Sequence, residues 1–407
     1  MTKVKIINDP VFGFINIPRG LLYDVLTHPA VQRLSRIRQL GLSSFVYPGA
    51  QHTRLQHSLG AYYLMSEAVA ALRAKGVAIT DEEAEAAQAA ILMHDIGHGP
   101  FSHVLEHTLV HGISHEEISL LLMHRVNSDL GGHLALAIDI FCGRYPKHFL
   151  HQLVSSQLDT DRLDYLRRDS FFTGVTEGNI GSARIIKMLN VHDGHLVVEK
   201  KGIYSIENFL TARRLMYWQV YLHKTSVAAE EMLRSALARA TALACSGEEL
   251  FCTPALRYFL YQYVTADTFH SDPACLDTFV QLDDNDIWCA LKVWQTHSDP
   301  ILSTLSRGLV ARRLFKVRIE SDPFPESDID GLCQSIARTL AVTPADARRY
   351  MLSHATLQKD MYTATDDQIG ILYPDGIVRD IADASDMLNV ALLERKVTKY
   401  ILCHYRI

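Results

Sequence analysis

Residues 94–103 contain an unusual concentration of side chains that could bind a metal ion: His94, Asp95, His98 and His103. Neutral imidazole and carboxylate together are the ligands of zinc, manganese, iron or nickel. The alternative interpretation is a buried histidine–aspartate pair that caps a core helix, and for an isolated pair that interpretation is favoured. The additional histidines, and candidate partners elsewhere in the chain, favour metal binding here.

Two of those partners are His57 and Asp161, which lie on other helices, well before and well after the central segment. Such a separation is normal for a site built in the core of a helical bundle. Asp161 competes with Asp159 and Asp164 as the candidate ligand on its helix, and either of those two could be a solvated helix charge. The sequence predicts one divalent transition metal (Mn, Fe, Zn or Ni), with an additional Mg²⁺ left open. The predicted ligands are His57, His94, Asp95 and Asp161.

A second group of polar side chains follows the metal candidates. His103 and Glu106 are three residues apart and would share a helix face. His115 comes directly after Ser114, which is a good N-cap residue. An imidazole held by a carboxylate is the usual form of a general acid or base, so we predict that His103, Glu106 and His115 are catalytic. The alternative is a capped helix with a solvent-facing pair of glutamates.

Basic residues on the same helices complete the candidate chemistry. Arginine binds phosphate oxygens through a bidentate fork, although surface helices carry many arginines in any case. Combined with a metal ion, which can polarise a phosphoryl oxygen and supply hydroxide, they indicate hydrolysis of a phosphate ester. These residues are Arg54, Arg162, Arg167, Arg168, Arg213, Arg214 and Lys224.

Composition restricts the class of protein. The chain has 407 residues, 48% of them hydrophobic, and a formal net charge of −6. A chain without a basic field is not expected to have nucleic acid as its main partner. Seven scattered cysteines without a CxxC motif indicate a reducing compartment. With no signal peptide and no run of eighteen apolar residues, we predict a cytoplasmic protein without membrane contact.

The periodicity of apolar residues predicts a mainly α fold: a helical bundle core followed by a small C-terminal α+β domain. The predicted domains are 1–190, with an N-terminal hairpin and the catalytic core, 191–308, a helical extension that completes the substrate pocket, and 309–407. Helices are expected over 21–40, with a second start at Pro29, and over 206–245 as one long stretch without Pro or Gly. Hairpins are expected at 190–204 and 369–378, where Asp-Gly and Pro-Asp-Gly mark the turns, and strands at 314–319 and 397–403.

A longer set of motifs carries a family resemblance. The pattern His57…His94-Asp95…Asp161 resembles the signature of the HD-domain phosphohydrolases. Within that superfamily the chain is similar to the deoxynucleoside triphosphate triphosphohydrolase branch, which includes dGTPase-like proteins and dNTPases with SAM and HD domains. The motifs are Asn8-Asp9-Pro10, Gln32-Arg33-Leu34, Gln39-Leu40-Gly41, Tyr47-Pro48-Gly49-Ala50, Arg54-Leu55-Gln56-His57-Ser58-Leu59-Gly60, residues 94–103 and Asp161-Arg162-Leu163-Asp164-Tyr165.

The resemblance implies an HD-domain bundle that converts a dNTP and water to deoxynucleoside and inorganic triphosphate. It assigns the metal to the four predicted ligands and places His103, Glu106 and His115 near the triphosphate. It also implies a homo-oligomer. The substrate-binding residues that it implies are Gln39, Leu40, Arg54, Arg162, Tyr165, Asp169, Tyr221 and Lys224, with Gln39 and Asp169 on the 3′-hydroxyl.

The chain departs from the family pattern at several positions. Glu106 stands where the family usually has aspartate, and Tyr217 where close relatives have histidine. Thr27 and Ser35 replace an Asp and an Arg through which some relatives bind an activating guanine nucleotide. Two alternative functions therefore remain open: hydrolysis of another nucleotide, such as a nucleoside monophosphate or an alarmone, and nucleotide sensing by a catalytically silent protein.

Overall fold

The computed structural model describes residues 4–359, 368–386 and 397–407. The fold is mainly α with small sheets, as predicted. The helices are α1 Leu21–Thr27, α2 Pro29–Gln32, α3 Arg54–Ala74, α4 Asp81–Met93, α5 His115–Asp129, α6 Ala135–Phe141, α7 His148–Val154, α8 Thr160–Thr173, α9 Ser182–Met188, α10 Ile203–Met216, α11 Lys224–Cys245, α12 Pro254–Tyr261, α13 Ala266–Ser271, α14 Pro273–Phe279, α15 Asp284–Trp294, α16 Pro300–Val310, α17 Glu326–Leu340, α18 Pro344–Tyr350 and α19 Ile381–Ala384.

The strands are β1 Val4–Asp9, β2 Gly13–Pro18, β3 Val110–His111, β4 Leu189–His192, β5 His195–Glu199, β6 Val264–Thr265, β7 Lys316–Glu320, β8 Leu352–Lys359, β9 Gly370–Leu372, β10 Val378–Asp380 and β11 Val397–His404. In the described residues they form four small sheets, with orders β1-β2, β10-β9-β5-β4, β7-β11-β8 and β3-β6. Short 3₁₀ segments lie at Arg33–Arg36, Gly41–Phe45, Ser102–His107, Thr176–Gly178 and Lys200–Gly202, and a π turn lies at Tyr217–Tyr221.

Helix α4 is the central helix of the core and carries the predicted metal-binding segment at its end. Its sequence is rich in alanine, the best helix former. Thr80 caps its N-terminus and exchanges hydrogen bonds with Glu83, which forms a capping box. Almost all of its later residues are buried, because α3 and α6 pack against it on different sides. Helix α3 in turn packs against α8, so three helices meet where the predicted ligands lie.

Two predicted helices are wrong in their extent. Helical structure in 21–40 ends with the 3₁₀ segment Arg33–Arg36, after which Ile37 is extended and Arg38 pairs with Thr53 in an isolated β-bridge. The long helix predicted over 206–245 is divided, because α10 passes into the π turn and α11 starts only at Lys224. Both interruptions lie beside candidate substrate residues, which is where such irregular backbone is commonly found.

The predicted hairpins are confirmed, but they join in a way that the sequence does not indicate. Asp193 and Gly194 both have positive φ, which is the backbone of a two-residue hairpin turn. Strand β9 of the C-terminal hairpin pairs in parallel with β5, so the two hairpins form one four-stranded sheet. The C-terminal region is α+β as predicted. Its boundary at 308 and the boundary at 190 stay predictions.

The described part of the chain has one large apolar core, which includes side chains from all three predicted domains. Among these residues, no helix is both long enough and apolar enough to cross a membrane. All seven cysteines are free thiols.

Candidate metal centre and active site

The structure brings together three of the predicted metal ligands, His57, His94 and Asp161, in one cluster. The Nε2 atoms of His57 and His94 are 3.2 Å apart. Asp161 Oδ1 lies 3.0 Å from the first and 3.5 Å from the second. The fourth predicted ligand, Asp95, places Oδ1 3.3 Å from His94 Nε2. All four carboxylate and imidazole groups therefore face a common space between α3, the end of α4 and the start of α8.

The opposite nitrogen of each imidazole is held by a hydrogen bond. His57 Nδ1 donates to Asp164 Oδ2 at 2.7 Å, and His94 Nδ1 donates to the carbonyl of Ile91 at 2.6 Å. Metal-binding histidines almost always have such an arrangement, because it fixes the tautomer and the ring orientation. The donor set therefore fits a divalent cation, with both Nε2 lone pairs aimed at the space between the ligands.

Asp164 is itself part of a buried ionic network. Arg168 donates to Asp164 at 2.9 Å and to Asp9 at 2.8 Å, and all three side chains are almost fully buried. Gly60 on α3 makes room for this pair, since a Cβ atom there would lie 1.9 Å from Asp164 Oδ1. The orientation of His57 thus depends on the N-terminal hairpin as well as on α8.

The three aspartates that compete in the sequence have different positions. Asp159 is the N-cap of α8 and accepts hydrogen bonds from the backbone of Ser156 and Arg162. Asp161 faces His57 and His94, while Asp164 contacts only the far side of the His57 ring. Of the three, Asp161 is the one whose carboxylate faces both imidazoles of the cluster.

Charges at the centre are strongly coupled. Burial alone would lower the pKa of His57, but hydrogen bonds to Asp161 and Asp164 outweigh burial and raise it to about 10. The pKa of Asp161 is held well below its ordinary value, because the attraction of His57 and His94 exceeds the penalty of burial. Without a cation, the aspartates make the imidazoles bind protons. A divalent cation would take the place of these protons.

Next to this cluster, His98, Glu106 and His115 form a second group. His115 Nδ1 lies 3.0 Å from Glu106 Oε1, and the rings of His98 and His115 stack with centroids 3.9 Å apart and planes 18° from parallel. One cation cannot lie in the planes of two stacked rings, so these residues are poorly arranged to share a metal ion. Their arrangement suits proton transfer. The side chain of the third predicted catalytic residue, His103, lies outside the described part of the chain.

Burial and neighbouring charges shift the pKa values of the two histidines of this group in opposite directions. Burial, assisted by the positive charge of Arg54, lowers the pKa of His98 to about 3, so its ring is neutral. Burial also acts to lower the pKa of His115, but the hydrogen bond with Glu106 outweighs it and raises the pKa. His115 is therefore the better proton donor of the pair near neutral pH. Glu106 makes this contact although it is one methylene longer than the aspartate of the family pattern.

Arg54 lies between the two groups. Its Nη1 donates to Asp95 Oδ2 at 2.5 Å, and its side chain is almost fully buried. This contact orients the Asp95 carboxylate and places a fixed positive charge beside the cluster. The prediction that Arg54 binds phosphate is compatible with this position, because a guanidinium has five N–H donors.

A cluster of polar and aromatic side chains includes several of the residues predicted to bind the sugar. Both oxygens of Asp169 accept hydrogen bonds, from His52 Nε2 at 2.8 Å and from the Tyr221 hydroxyl at 2.8 Å. The ring of Tyr165 lies edge-on to Tyr221, with centroids 6.1 Å apart. Within the described residues, the buried Oε1 atom of Gln39 has no hydrogen-bond partner. An unpaired buried oxygen is expected where a ligand supplies the missing donor.

The other predicted substrate residues surround this region at different depths. Leu40 is half-buried and precedes the 3₁₀ segment Gly41–Phe45. Arg162 is 26% exposed and pairs with Asp159. Lys224 is exposed in the first turn of α11, and no hydrogen bond or ion pair between described residues joins it to the rest of the site.

Contacts with the start of α15 and the residues just before it hold the loops of the site together. The fully buried guanidinium of Arg33 donates to the carbonyls of Leu282, Ile96 and His98. Asp284 accepts hydrogen bonds from the backbone N–H groups of Arg38 and Phe101. The start of α15 thus contacts both the segment before Gln39 and the segment that carries the second histidine group.

Comparison with known proteins agrees with this geometry. Residues 54–166 match the HD domain, and residues 180–251 match the HD associated region. A phosphohydrolase from Bacteroides thetaiotaomicron of known crystal structure is 64% identical, with a TM-score of 0.97 over 99% of this chain and 100% of that one. This chain belongs to the HD-domain phosphohydrolase superfamily. The HD domain contains α3, α4 and the first turns of α8, which are the elements that carry the four predicted ligands.

Curated relatives of the HD domain protein are more distant. The uncharacterized protein YwfO of Bacillus subtilis is 29% identical over 96% of this chain and 89% of its own length. The human deoxynucleoside triphosphate triphosphohydrolase SAMHD1 is 28% identical over 58% of this chain. The match spans only 45% of the human protein, so its activity does not transfer by similarity alone.

The sequence analysis assigns no specific role to three residues of the site. His98 belongs to the histidine-rich segment 94–103, and its spacing of four residues from His94 is the signal that indicates its place beside the cluster. Asp164 was noticed only as a competitor of Asp161. His52 carries no motif of its own, since nothing in the sequence shows that it meets Asp169, 117 residues later.

Proposed function

We propose that this protein is a metal-dependent phosphohydrolase of deoxynucleoside triphosphates, which releases deoxynucleoside and inorganic triphosphate. One observation carries the proposal: Asp161, a member of the His57–His94–Asp161 cluster, lies on the same helix, α8, as Asp169. One helix would therefore contribute both to the proposed phosphate-cleaving centre and, eight residues later, to the polar cluster proposed to bind a deoxyribose.

The proposed ligands of the cation are His57, His94, Asp95 and Asp161. A divalent cation held there would polarise a phosphoryl oxygen and activate water for attack on the α-phosphorus. Arg54 would contact the phosphates. The partly exposed Arg162 would contact them too, and so would Lys224 once α11 moves closer to the site. Their positive charge would stabilise the charge that develops on the phosphoryl oxygens.

The leaving group of the proposed reaction needs a proton, and His115 is the proposed donor. Attack of water on the α-phosphorus breaks the bond between that phosphorus and the 5′ oxygen, which leaves as the hydroxyl of the deoxynucleoside. The leaving oxygen must gain a proton, and the raised pKa of His115 keeps one available. Glu106 holds the imidazole at 3.0 Å and supports the charged form. His103 is proposed to assist near the triphosphate.

The polar cluster around Asp169, with His52, Tyr221 and Gln39, supports a deoxynucleotide substrate. Gln39 and Asp169 would bind the 3′-hydroxyl, which gives the unpaired Oε1 atom of Gln39 its donor. Leu40, Tyr165 and Tyr221 would enclose the sugar and base. Burial raises the pKa of Tyr165 to about 12, and that of Tyr221 lies well above its ordinary value, so both hydroxyls stay neutral.

The proposal also includes self-association and a cytoplasmic location. One face of the β1–β2 hairpin exposes Val4, Ile6 and Phe14, which is an apolar surface suited to contact with another copy. The free thiols of all seven cysteines are compatible with a reducing compartment. Light scattering of the purified protein measures the oligomeric state directly, and a monomer at all concentrations would remove this part of the proposal.

The experiment that tests the function is incubation of the purified protein with each dNTP and each NTP, with Mn²⁺ or Mg²⁺, and separation of the products by chromatography. We expect deoxynucleoside and inorganic triphosphate in equal amounts. Release of orthophosphate or pyrophosphate, or turnover of monophosphates or alarmones alone, would support hydrolysis of another nucleotide instead. Bound metal without any turnover would support the sensing alternative.

A further inference from the structure

His52 contacts both of the residues that are proposed to bind the 3′-hydroxyl of the substrate. It lies in the connector just before α3, and its side chain is fully buried. Its ring nitrogen Nε2 is 2.8 Å from Asp169 Oδ1. Its backbone carbonyl accepts a hydrogen bond of 3.0 Å from the backbone N–H of Gln39. One residue thus links two sugar-binding candidates that are far apart in the chain.

The hydrogen bond to Asp169 fixes which nitrogen carries the proton. A carboxylate is an acceptor only, so Nε2 must be the donor, and in the neutral ring Nδ1 is then a bare acceptor. Among the described residues, the buried Nδ1 atom has no hydrogen-bond partner. Leaving a buried acceptor unpaired is unfavourable for stability. Among the described residues, Asp169 is therefore the hydrogen-bond partner of the ring, and a donor at Nε2 is what this position provides.

The surroundings of the ring hold this donor rigidly. The ring stacks on Phe172, with centroids 4.5 Å apart and planes 18° from parallel. The second oxygen of Asp169 is held by the Tyr221 hydroxyl. Each carboxylate oxygen has a second lone pair, so Asp169 can still accept a hydrogen bond from a substrate hydroxyl while both contacts persist. The carboxylate is thereby fixed in one orientation before substrate arrives.

We propose that His52 is a positioning residue for sugar recognition: it orients Asp169 through its ring and Gln39 through its carbonyl, and so determines how strongly the enzyme depends on the 3′-hydroxyl of a deoxynucleotide. This inference rests on the proposed dNTP substrate. His52 acts through Asp169 and Gln39 and does not itself contact the reacting atoms. A purely structural His52 would affect all nucleotides alike, whereas a positioning residue affects those with a 3′-hydroxyl most.

The test compares dATP and dGTP with their 2′,3′-dideoxy analogues in the wild type and in three variants. His52→Gln keeps an amide N–H near the position of Nε2, whereas His52→Asn places its amide near Nδ1 and loses that donor. His52→Phe keeps the ring stacked on Phe172 without any donor, and serves as the second variant without the donor if the Asn variant does not fold. His28→Gln, the same substitution at a histidine whose Nε2 lies 3.3 Å from Asp129 outside the site, is the matched control.

For the wild type we expect removal of the 3′-hydroxyl to lower kcat/KM by about 10- to 100-fold, as for a hydrogen bond to a charged group. In His52→Asn and His52→Phe the loss should shrink to about threefold or less, with a raised KM for dNTPs and a kcat and metal content close to those of the wild type. His52→Gln and His28→Gln should retain the wild-type dependence on the hydroxyl.

An unchanged dependence on the 3′-hydroxyl in His52→Phe, with dNTP turnover intact in the wild type, would overturn the positioning role. An equal loss for dNTPs and dideoxy analogues would overturn it as well, because it would show a structural role only. Absence of dNTP turnover in the wild type is a different result: it would refute the proposed substrate on which this inference rests.

Discussion

At the scale of single residues, the two imidazoles of the proposed metal centre are oriented by different hydrogen-bond acceptors. His57 is oriented by a carboxylate, Asp164, and His94 by a carbonyl on its own helix. A carboxylate partner makes an imidazole a more basic ligand than a carbonyl does. We therefore expect His57 to contribute more to metal affinity than His94.

The first prediction concerns Asp161. Replacement by Ala removes the carboxylate that lies 3.0 Å and 3.5 Å from the two Nε2 atoms, so bound metal and turnover should be lost together while the fold persists. Metal content by mass spectrometry, circular dichroism and activity measure the three properties. Asp139→Ala, which removes a surface partner of Arg144, is the control. Full metal occupancy in the Asp161 variant would contradict the ligand assignment.

The second prediction concerns His115. Its replacement by Ala should leave metal content unchanged and lower kcat by about 10²- to 10⁴-fold, the usual contribution of a general acid. In the wild type, kcat should fall as pH rises through the raised pKa of His115, because the acid form is lost above it. The variant should lack this alkaline limb. A variant with the wild-type kcat and pH profile would exclude His115 from proton transfer.

At the scale of elements, the helices that carry the ligands follow from local sequence, but their rotation about their own axes does not. Helix α4 was predictable from alanine content and the Thr80–Glu83 capping box. On α8, in contrast, Asp161 and Asp164 have equal claims in the sequence. Only the packing of α8 against α3 decides which of the two faces the cluster and which lies behind His57.

The interruptions of the helices also could not be predicted from the sequence. The π turn Tyr217–Tyr221 contains no Gly or Pro that would mark it, and its last residue, Tyr221, has a tertiary contact with Asp169. In the same way, extended backbone at Ile37 and Arg38 depends on the bridge to Thr53. Propensity describes a chain segment in isolation, and these segments are determined by distant partners.

The third prediction tests the close approach of α3 and α8. In Gly60→Ala the added Cβ atom would lie 1.9 Å from Asp164 and 2.2 Å from Arg168, so the buried ion pair must move. We expect a loss of stability of about 3 kcal/mol or more, as for disruption of a buried charge pair, together with weaker metal binding. Gly331→Ala on α17, where a Cβ atom meets no neighbour within 4 Å, should instead stabilise by about 0.5–1 kcal/mol. Denaturant unfolding with and without metal measures both, and equal effects would refute the steric argument.

At the scale of the whole molecule, the centre joins parts of the chain that are remote in sequence. The proposed ligands come from α3, the end of α4 and α8, while Arg168 and Asp9 connect them to the N-terminal hairpin. The start of α15 holds the neighbouring loops through Asp284 and the carbonyl of Leu282. The site therefore forms only when these remote parts of the chain have folded together.

The fourth prediction follows from this coupling. A cation that binds only the folded chain stabilises it by about 2.7 kcal/mol when its concentration is 100 times the Kd. Thermal unfolding should therefore shift upwards with Mn²⁺ or another suitable divalent ion and downwards with a chelator, both by several degrees. In Asp161→Ala the shift should vanish. A metal-induced shift of the same size in that variant would show that stabilisation arises elsewhere.

The parallel pairing of β5 with β9 has a consequence for biosynthesis. Residues 195–199 leave the ribosome long before residues 370–372, so the edge of β5 has open hydrogen-bonding groups while the segment between them is synthesised. An open strand edge invites pairing with other chains. Production of this protein should accordingly be sensitive to elongation speed and chaperone supply, and truncated chains that end before residue 370 should aggregate although every proposed ligand is present.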